Sequence, residues 1–296
     1  MRNRSFILNY HLMLIPGAVL LFIFSIVPMF GVAIAFQDYI PTKGIFASEW
    51  VGWENFGYMF SLPDSKQIFV NTISIALMKI AAGLVVPFVF ALLLNEARIV
   101  LFKRTIQTVV YLPHFMSWVI LSGILINMLT LDGLVNQILS WFGREPVMFL
   151  SSNAWFRPIL VASDVWKEFG FSTIIYLAAL TSINASLYEA ASIDGASRLQ
   201  KLLYITVPAL LPTVILLATL SLGNVLNAGF EQILNLYNPL VYETGDIIDT
   251  YVYRTGLQEM QFGLATAVGL LKSAVSFILI LISYGLAYRY ANYRIF

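Results

Sequence analysis

The stretch that decides the fold class is IFVNTISIALMKIAAGLVVPFVFALLL, residues 68–94. Its only charged side chain is Lys79, and the rest is predominantly apolar. A helix needs about 20 mostly apolar residues to cross roughly 30 Å of hydrocarbon. This stretch is therefore predicted to be a transmembrane helix.

Five further stretches have a similar length and composition. They are Met13–Phe36, Ile106–Thr130, Pro158–Ile183, Leu203–Asn227 and Leu264–Tyr288. The stretch Pro158–Ile183 differs from the others because Asp164, Lys167 and Glu168 interrupt it. Six helices of this length leave little chain for anything else. We therefore predict an all-α, polytopic membrane protein with six transmembrane helices and a single transmembrane domain over residues 1–296.

The composition excludes several classes of protein. The chain is 59% hydrophobic and 11% charged, with a mean hydropathy of +0.81, whereas soluble domains carry about 25% charged residues. So few charges cannot cover a surface that faces water, which argues against a soluble enzyme, a nucleic-acid-binding protein or a disordered regulator. Because there is no cysteine, disulfides and thiolate metal sites are excluded, and we expect no metal site.

The N-terminal stretch has two interpretations. Arg2, Arg4 and the sequence Ala33-Ile34-Ala35 resemble a signal peptide with its cleavage site. The apolar run of Met13–Phe36 is longer than the roughly 7–15 residues of a signal h-region, however, so we expect a retained span. Lys and Arg number nine on the side of the termini and five on the other, so the positive-inside rule predicts that both termini are cytoplasmic.

The most informative loop is SLYEAASIDGASRLQKLLYITVPALLP, residues 186–212. Ser186 followed by Glu189 is a capping box, which predicts a helix beginning at Leu187. Ala190 and Ala191 give this helix a face without bulk, and Gly195 permits a sharp break after it. The residues alone thus indicate a small cytoplasmic docking helix, with an ordinary connecting loop as the alternative.

This loop closely resembles the EAA loop of bacterial ABC importer permeases, in which Glu-Ala-Ala, three residues, Gly and nine residues precede Ile-x-Leu-Pro. The chain matches at Glu189, Ala190, Ala191, Gly195, Ile205 and Pro208, with Val207 replacing the leucine. The segments YLPHFMSWVI (111–120), DGLVN (132–136) and LYNPLVYETGDIIDTYVYR (236–254) are similar to the oligosaccharide-uptake branch of these permeases.

The resemblance implies a type I ABC importer permease fold in the bacterial cytoplasmic membrane. The loop of about 186–208 would be the coupling loop, whose Glu189, Ala190, Ala191, Asp194 and Gly195 sit in a cleft of a cytoplasmic ATPase. The implied partners are a second permease subunit in a heterodimer, two cytoplasmic ABC ATPases, an extracytoplasmic solute-binding protein, an oligosaccharide substrate and membrane lipid. No phosphate-binding loop occurs in the sequence, so ATP and Mg would be bound by the ATPases and no cofactor by this chain.

The candidate substrate site begins on the fourth span. Asp164, Lys167, Glu168 and Phe171 are spaced to share one helix face, and ionisable residues inside spans usually face a bundle interior or an aqueous cavity. They could form a polar wall of a transport pathway. The alternative is an Asp164–Lys167 or Lys167–Glu168 ion pair that only fixes helix packing.

Further candidates lie on other spans. The resemblance implies sugar contacts at Asp164, Glu168, Phe171, Ser221 and Asn224. Asn227 could hydrogen-bond hydroxyl groups, although Ser and Asn also join helices in membranes. His114, near the start of the third span, is a weaker candidate because a lone histidine is more often a packing residue. Lys272 is expected on a helix-contact face.

Three functions are compatible with a six-span chain. The first is the permease of an ATP-driven oligosaccharide importer. A secondary transporter or channel could use Asp164 and Glu168 for proton coupling, but it does not explain the EAA loop. An intramembrane enzyme is disfavoured because no His-Glu-x-x-His or Gly-x-Ser-x-Gly motif occurs, and we expect no catalytic residue. For acidic sugars, Lys167 and His114 could meet a uronate, whereas Asp164 and Glu168 would repel it unless they are paired.

Overall fold

The structure is a computed structural model that describes the backbone of residues 4–291 and the side chains of residues 10–286, 288 and 289. Arg2 lies outside the described residues. The predicted all-α class is confirmed: within the described part, the only strands are β1 (Gln37–Asp38) and β2 (Glu49–Trp50), an antiparallel pair in which Gln37 lies opposite Trp50.

The helices of the N-terminal half are α1 (Arg4–Leu21), α2 (Val27–Met29), α3 (Gly44–Ala47), α4 (Glu54–Ser61), α5 (Ser65–Glu96), α6 (Val100–Tyr111), α7 (Trp118–Leu129) and α8 (Leu134–Trp141). Those of the C-terminal half are α9 (Asn153–Thr181), α10 (Ala185–Ile193), α11 (Arg198–Lys201), α12 (Val207–Leu222), α13 (Phe230–Leu236), α14 (Tyr242–Gly245), α15 (Ile248–Tyr253) and α16 (Phe262–Ala291). Short π-helical turns at Phe22–Ile26, Leu202–Thr206 and Arg254–Gln258 and 3₁₀ turns at Phe30–Phe36, Leu112–Phe115, Phe149–Ser151 and Pro239–Val241 connect or extend them.

The chain forms two compact units. The first comprises the described residues up to Ser65 together with Tyr251–Leu271, and the second comprises Lys66–Thr250 and the described residues from Lys272 onward. Ala35, Phe56 and Ala267 form a buried cluster in the first unit. The second unit has one cluster around Ile75, Phe156, Leu160, Leu226 and Ile233, and another around Ala91, Tyr176, Leu180 and Leu210.

Five stretches of helix in the described residues are long and apolar enough to cross a membrane: Tyr10–Phe36, Ser65–Glu96, Trp118–Trp141, Arg198–Leu222 and Phe262–Leu286. The number is six if α9 and α10, which are bent by 66° at their junction, count as one span. The polytopic membrane class is therefore confirmed, with five to six candidate spans.

The third predicted span, Ile106–Thr130, is wrong as a single helix. The chain leaves the α-helical path at residues 112–117, where a 3₁₀ turn over Leu112–Phe115 is followed by two non-helical residues, and α7 begins at Trp118. Pro113 has no N–H to donate in this segment, and the side chain of Ser117 accepts a hydrogen bond from the N–H of Ile120 at 3.4 Å, which makes it the N-cap of α7. The candidate span is Trp118–Trp141 instead.

The fifth predicted span, Leu203–Asn227, extends too far. Helix α12 ends at Leu222, and residues 223–229 are not helical before α13 begins at Phe230. Gly223 is the C-cap of α12, and Gly229 has a φ of +96°, a backbone conformation that side-chain-bearing residues rarely adopt. Asn224 and Asn227 therefore lie in a helix break and not on a continuous helix.

The predicted start of the coupling-loop helix is also wrong. Helix α10 begins at Ala185, and its N-cap is Asn184, whose side-chain oxygen accepts from the N–H of Ser186 at 3.0 Å. A capping box forms instead at the start of the next helix, α11, between Ser197 and Gln200. Asparagine and serine are comparable N-caps, so the sequence pattern did not distinguish the two positions.

The predicted break at Gly195 is confirmed. Gly195 has a φ of +75°, and the N–H of Ala196 donates to the carbonyl of Ala191 at 2.8 Å while that of Gly195 donates to Ser192 at 3.2 Å. This is a Schellman motif, which satisfies the last carbonyls of α10 and requires a left-handed residue after it.

Candidate substrate-binding and coupling sites

Lys167 of α9 donates hydrogen bonds to main-chain carbonyls in the helix break at residues 112–117. Its side-chain Nζ donates to the carbonyls of His114 at 2.6 Å and Met116 at 3.0 Å, and lies 3.5 Å from that of Pro113. Carbonyls at a helix break have no helical partner and need another donor. Lys167 provides it, and the residue is only 7% exposed.

His114 and Phe171 form a stacked pair beside this break. Their rings are 4.1 Å apart and parallel to within 1°, and His114 Nδ1 lies 2.7 Å from Glu168 Oε2. Phe171 is 43% exposed, so part of its ring remains available to a ligand. The structure thus brings four of the candidate residues, Lys167, Glu168, Phe171 and His114, into one cluster.

Asp164 has a partner that the sequence did not assign. Lys79 Nζ of α5 lies 3.2 Å from Asp164 Oδ1, and it also donates to the carbonyl of Ala228 at 2.8 Å and to Gln232 Oε1. Gln232 in turn donates to the carbonyl of Leu160 at 2.8 Å and to Ser163 Oγ at 2.7 Å. Of the two ion pairs considered from sequence, only Lys167–Glu168 is present, at 3.5 Å. A lone lysine within an apolar span signals a buried partner, but only the fold shows which acid it meets.

The second break, at residues 223–229, carries the remaining polar candidates. Asn224 and Asn227 are exposed and Ser221 is half-buried at the end of α12. Asn227 Nδ2 lies 3.4 Å from Asn224 Oδ1, and the N–H of Asn224 donates to the carbonyl of Ser221 at 3.0 Å. Lys272 Nζ donates to Asn227 Oδ1 at 3.0 Å and to Asp249 Oδ1 at 2.6 Å, a contact that sequence reasoning missed.

Three lysines of the second unit are each paired with an acid. Lys79 is paired with Asp164, Lys167 with Glu168, and Lys272 with Asp249. Each carboxylate therefore has a cation within 3.5 Å or less. The pairing removes most of the repulsion that Asp164 and Glu168 would exert on an anionic ligand, because an adjacent opposite charge cancels the field of each carboxylate at a distance.

Helix α10 presents a different kind of surface. Glu189, Ala190, Asp194 and Gly195 are exposed and Ala191 is half-buried. Ile193 is 87% exposed, and Leu187, Leu199 and Tyr204 are exposed as well. Apolar side chains grouped with small residues on an exposed helix are typical of a protein-binding surface.

Helix α10 is attached firmly to the start of the following span. The hydroxyl of Tyr188 lies 2.9 Å from Thr206 Oγ1, and Lys201 Nζ donates to Ser192 Oγ at 2.6 Å. Thr206 directly precedes α12, which ends at the second break. These side-chain contacts connect α10 with the start of the helix that carries Ser221, one of the candidate substrate residues.

No cluster of metal-ligating side chains accompanies these sites in the part of the chain that the structure describes. What the second unit does present is the ion pairs of Asp164 and Glu168, the stacked rings of His114 and Phe171, and the exposed helix α10.

Residues 83–295 match the family described as binding-protein-dependent transport system inner membrane component. The chain belongs to this family, and it is a membrane-embedded, multi-pass permease subunit of an ABC importer and not an enzyme. The resemblance inferred from the coupling loop is thereby confirmed.

Individual relatives cover almost the whole chain. The polygalacturonan/rhamnogalacturonan transport system permease protein YteP of Bacillus subtilis (strain 168) is 44% identical over 287 residues, which cover 97% of this chain and 89% of that protein. The crystal structure of a bacterial ABC transporter involved in the import of the acidic polysaccharide alginate contains a chain that matches with a TM-score of 0.87 and 38% identity, covering 95% of this chain and 96% of that one. The bacterial alginate ABC transporter in complex with alginate pentasaccharide-bound periplasmic protein matches equally well, with a TM-score of 0.87, 38% identity and coverages of 96% and 95%.

Proposed function

We propose that this permease imports oligosaccharides that contain uronic acids. The observation that carries the proposal is the pairing of Asp164 with Lys79 and of Glu168 with Lys167. Both carboxylates are compensated inside the protein, so they do not exclude a polyanionic sugar from the pathway. The names of the relatives agree, since polygalacturonan and alginate are both polymers of uronic acids.

The sugar contacts would come from the two helix breaks. The stacked rings of His114 and Phe171 offer an aromatic surface, to which the apolar face of a sugar ring can bind, and Ser221, Asn224 and Asn227 offer hydrogen bonds to hydroxyl groups. Asp164 and Glu168 retain partly exposed side chains, 27% and 39%, and can accept hydrogen bonds from hydroxyls while paired. Lys167 would act indirectly, because its ammonium group is already surrounded by acceptors.

The coupling site would be helix α10 with Glu189, Ala190, Ala191, Asp194 and Gly195. We propose that it sits in a cleft of a cytoplasmic ATPase that binds ATP and Mg, and that both termini of the chain are cytoplasmic. Closure of two ATPases would move α10, and the contact between Tyr188 and Thr206 would pass this movement to α12 and switch access to the pathway.

One six-span chain does not enclose a pathway by itself. The proposed assembly therefore contains a second permease subunit, two ATPases and an extracytoplasmic solute-binding protein. The relative that is solved with a periplasmic protein carrying an alginate pentasaccharide supports this composition.

Reconstitution tests the proposal directly. The chain would be co-expressed with the permease and ATPase genes beside its own, placed in lipid vesicles and supplied with the solute-binding protein and a defined oligosaccharide. We expect oligogalacturonates or alginate oligomers to stimulate ATP hydrolysis and uptake, and neutral oligosaccharides of the same length to do neither. Stimulation by neutral sugars alone would refute the proposed substrate class, and uptake without ATP would refute the importer.

A further inference from the structure

We propose that Lys79 and Lys167 are positioning residues that fix the conformation of the two helix breaks, 223–229 and 112–117, by donating hydrogen bonds to the carbonyls that the breaks leave free. That these breaks line the substrate pathway rests on the proposed function. The positioning itself rests only on the contacts of the two lysines.

The two breaks create the same physical problem. In hydrocarbon no water is available to a main-chain carbonyl that lacks a helical partner, so irregular backbone is tolerated within a membrane only where protein or a water-filled cavity satisfies it. The break at 112–117 leaves the carbonyls of His114 and Met116 without a helical partner, and the break at 223–229 does the same to that of Ala228, whereas the carbonyl of Pro113 accepts from the N–H of Met116 at 3.1 Å.

Each break has one buried lysine, and both lysines use their hydrogen-bonding capacity internally. An ammonium group has three N–H donors and no acceptor. Lys167 has the carbonyls of His114 and Met116 and the carboxylate of Glu168 around its Nζ. Lys79 has the carbonyl of Ala228, Gln232 Oε1 and the carboxylate of Asp164. Neither ammonium has a donor left over for a substrate carboxylate.

Two glycines make these contacts possible. A Cβ at Gly229 would push Lys79 Nζ out of its present position, and one at Gly170 of α9 would collide with the main chain of Val110, just before the first break. The close approach of lysine to break, and of α9 to α6, thus depends on positions without a Cβ.

Helix α9 supports both lysines. Asp164 and Glu168 are four residues apart on one face of this helix, and each is paired with one of the two lysines. The role of these acids is to stabilise buried ammonium groups, whereas the lysines are the groups that bond to the breaks. The two halves of each ion pair should therefore respond differently to substitution.

Cysteine labelling measures this difference, and the chain is suited to it because it contains no cysteine. Val225, which lies in the second break and is 8% exposed, is replaced by cysteine, a smaller residue. The rate of reaction with a membrane-impermeant maleimide is then measured in membranes containing the co-expressed transporter, without any oligosaccharide. The backgrounds are the parent, Lys79→Met, Asp164→Asn, and Lys66→Met as a matched control, since Lys66 is exposed on the same helix α5.

We expect Lys79→Met to raise the labelling rate about tenfold, as for a protected segment that opens locally, while Asp164→Asn and Lys66→Met stay near the parental rate. Met116→Cys, at a half-buried position, is the probe for the first break, with Lys167→Met raising its labelling rate above the parental value and Glu168→Gln leaving it unchanged. A parental rate in both lysine variants, or equal increases in lysine and acid variants, would overturn the proposal, because the ion pair alone would then be what matters.

A variant that fails to accumulate does not block the test. Lys79→Met/Asp164→Asn leaves no unpaired buried acid, and a raised rate in this double variant supports the proposal whereas a parental rate overturns it. No sugar is present in this experiment. If a lysine served only to bind a substrate carboxylate, its substitution would leave the labelling rate at the parental value. Failure of uronates to stimulate transport would refute the proposed function without changing these rates, so the two failures are distinguishable.

Discussion

The interior of the second unit and the exposed helix α10 are built in opposite ways. In the interior, three lysines are each paired with an acid and bonded to neighbouring groups, which fixes the geometry of the surrounding segments. On α10, apolar side chains such as Ile193 are exposed and the helix is held at its two ends by a cap and a Schellman motif. In the interior, the charged groups are satisfied by groups of this chain. On α10, the exposed apolar side chains have no such cover, which is what a surface that binds a partner protein requires.

The largest effect on coupled ATP hydrolysis should follow from changing the backbone conformation at Gly195, where α10 ends. Gly195→Val forces a β-branched residue into a left-handed conformation, which is a strained arrangement for a residue with a side chain, so the exit of α10 must change direction. We expect oligosaccharide-stimulated ATP hydrolysis to fall at least about tenfold, equivalent to about 1.4 kcal/mol of coupling, with little loss of the chain from the membrane.

Gly143→Val is the matched control for this substitution. Gly143 also has a positive φ, +69°, and, like Gly195, has open space around the position of a Cβ. The same local strain at this site, outside α10, should leave stimulated hydrolysis unchanged. Equal losses in the two variants would show that strain in general, and not the geometry of α10, causes the defect.

A smaller effect is expected in the interior, at the stacked pair of His114 and Phe171. Such aromatic pairs contribute about 0.5–1.5 kcal/mol beyond buried area, so Phe171→Ala should raise the KM for uptake several-fold with a smaller change in kcat. In a double-mutant cycle with His114→Ala, we expect the two effects to be less than additive. Strict additivity would mean that the rings act separately and do not form one binding surface.

The smallest effect concerns the N-terminal cap of α10. Asn184→Ala removes a cap worth about 1 kcal/mol, so the amount of ATPase that co-purifies with the permease should fall by about fivefold or less. Ser186→Ala should have no effect, because the side chain of Asn184 and not that of Ser186 caps the helix. A loss of ATPase in Ser186→Ala but not in Asn184→Ala would contradict this assignment, and would mean that Ser186 caps the helix as the sequence pattern predicts.

These cases show which parts of the molecule could be predicted from sequence. The bilayer sets the length and the apolar composition that a membrane-spanning helix requires. Residues 68–94 meet both requirements, so the membrane class could be predicted from composition. The break at Gly195 is local and was also predictable. The breaks at 112–117 and 223–229 were not predicted, because their carbonyls are satisfied by lysines more than 50 residues away along the chain. The Lys79–Asp164 pair depends on the same long-range packing, so sequence showed two isolated charges and not their contact.

The central claim is that this permease works through α10 as part of an ATP-driven complex. The most direct measurement is purification of the tagged chain in mild detergent, co-expressed with its neighbouring genes, followed by mass spectrometry of the proteins that co-elute. We expect a second permease and an ATPase with a phosphate-binding loop to co-elute, and we expect the ATPase to be lost when Glu189 and Gly195 are substituted together. A chain that elutes alone or as a homodimer, with no ATPase even after crosslinking, would contradict the central claim.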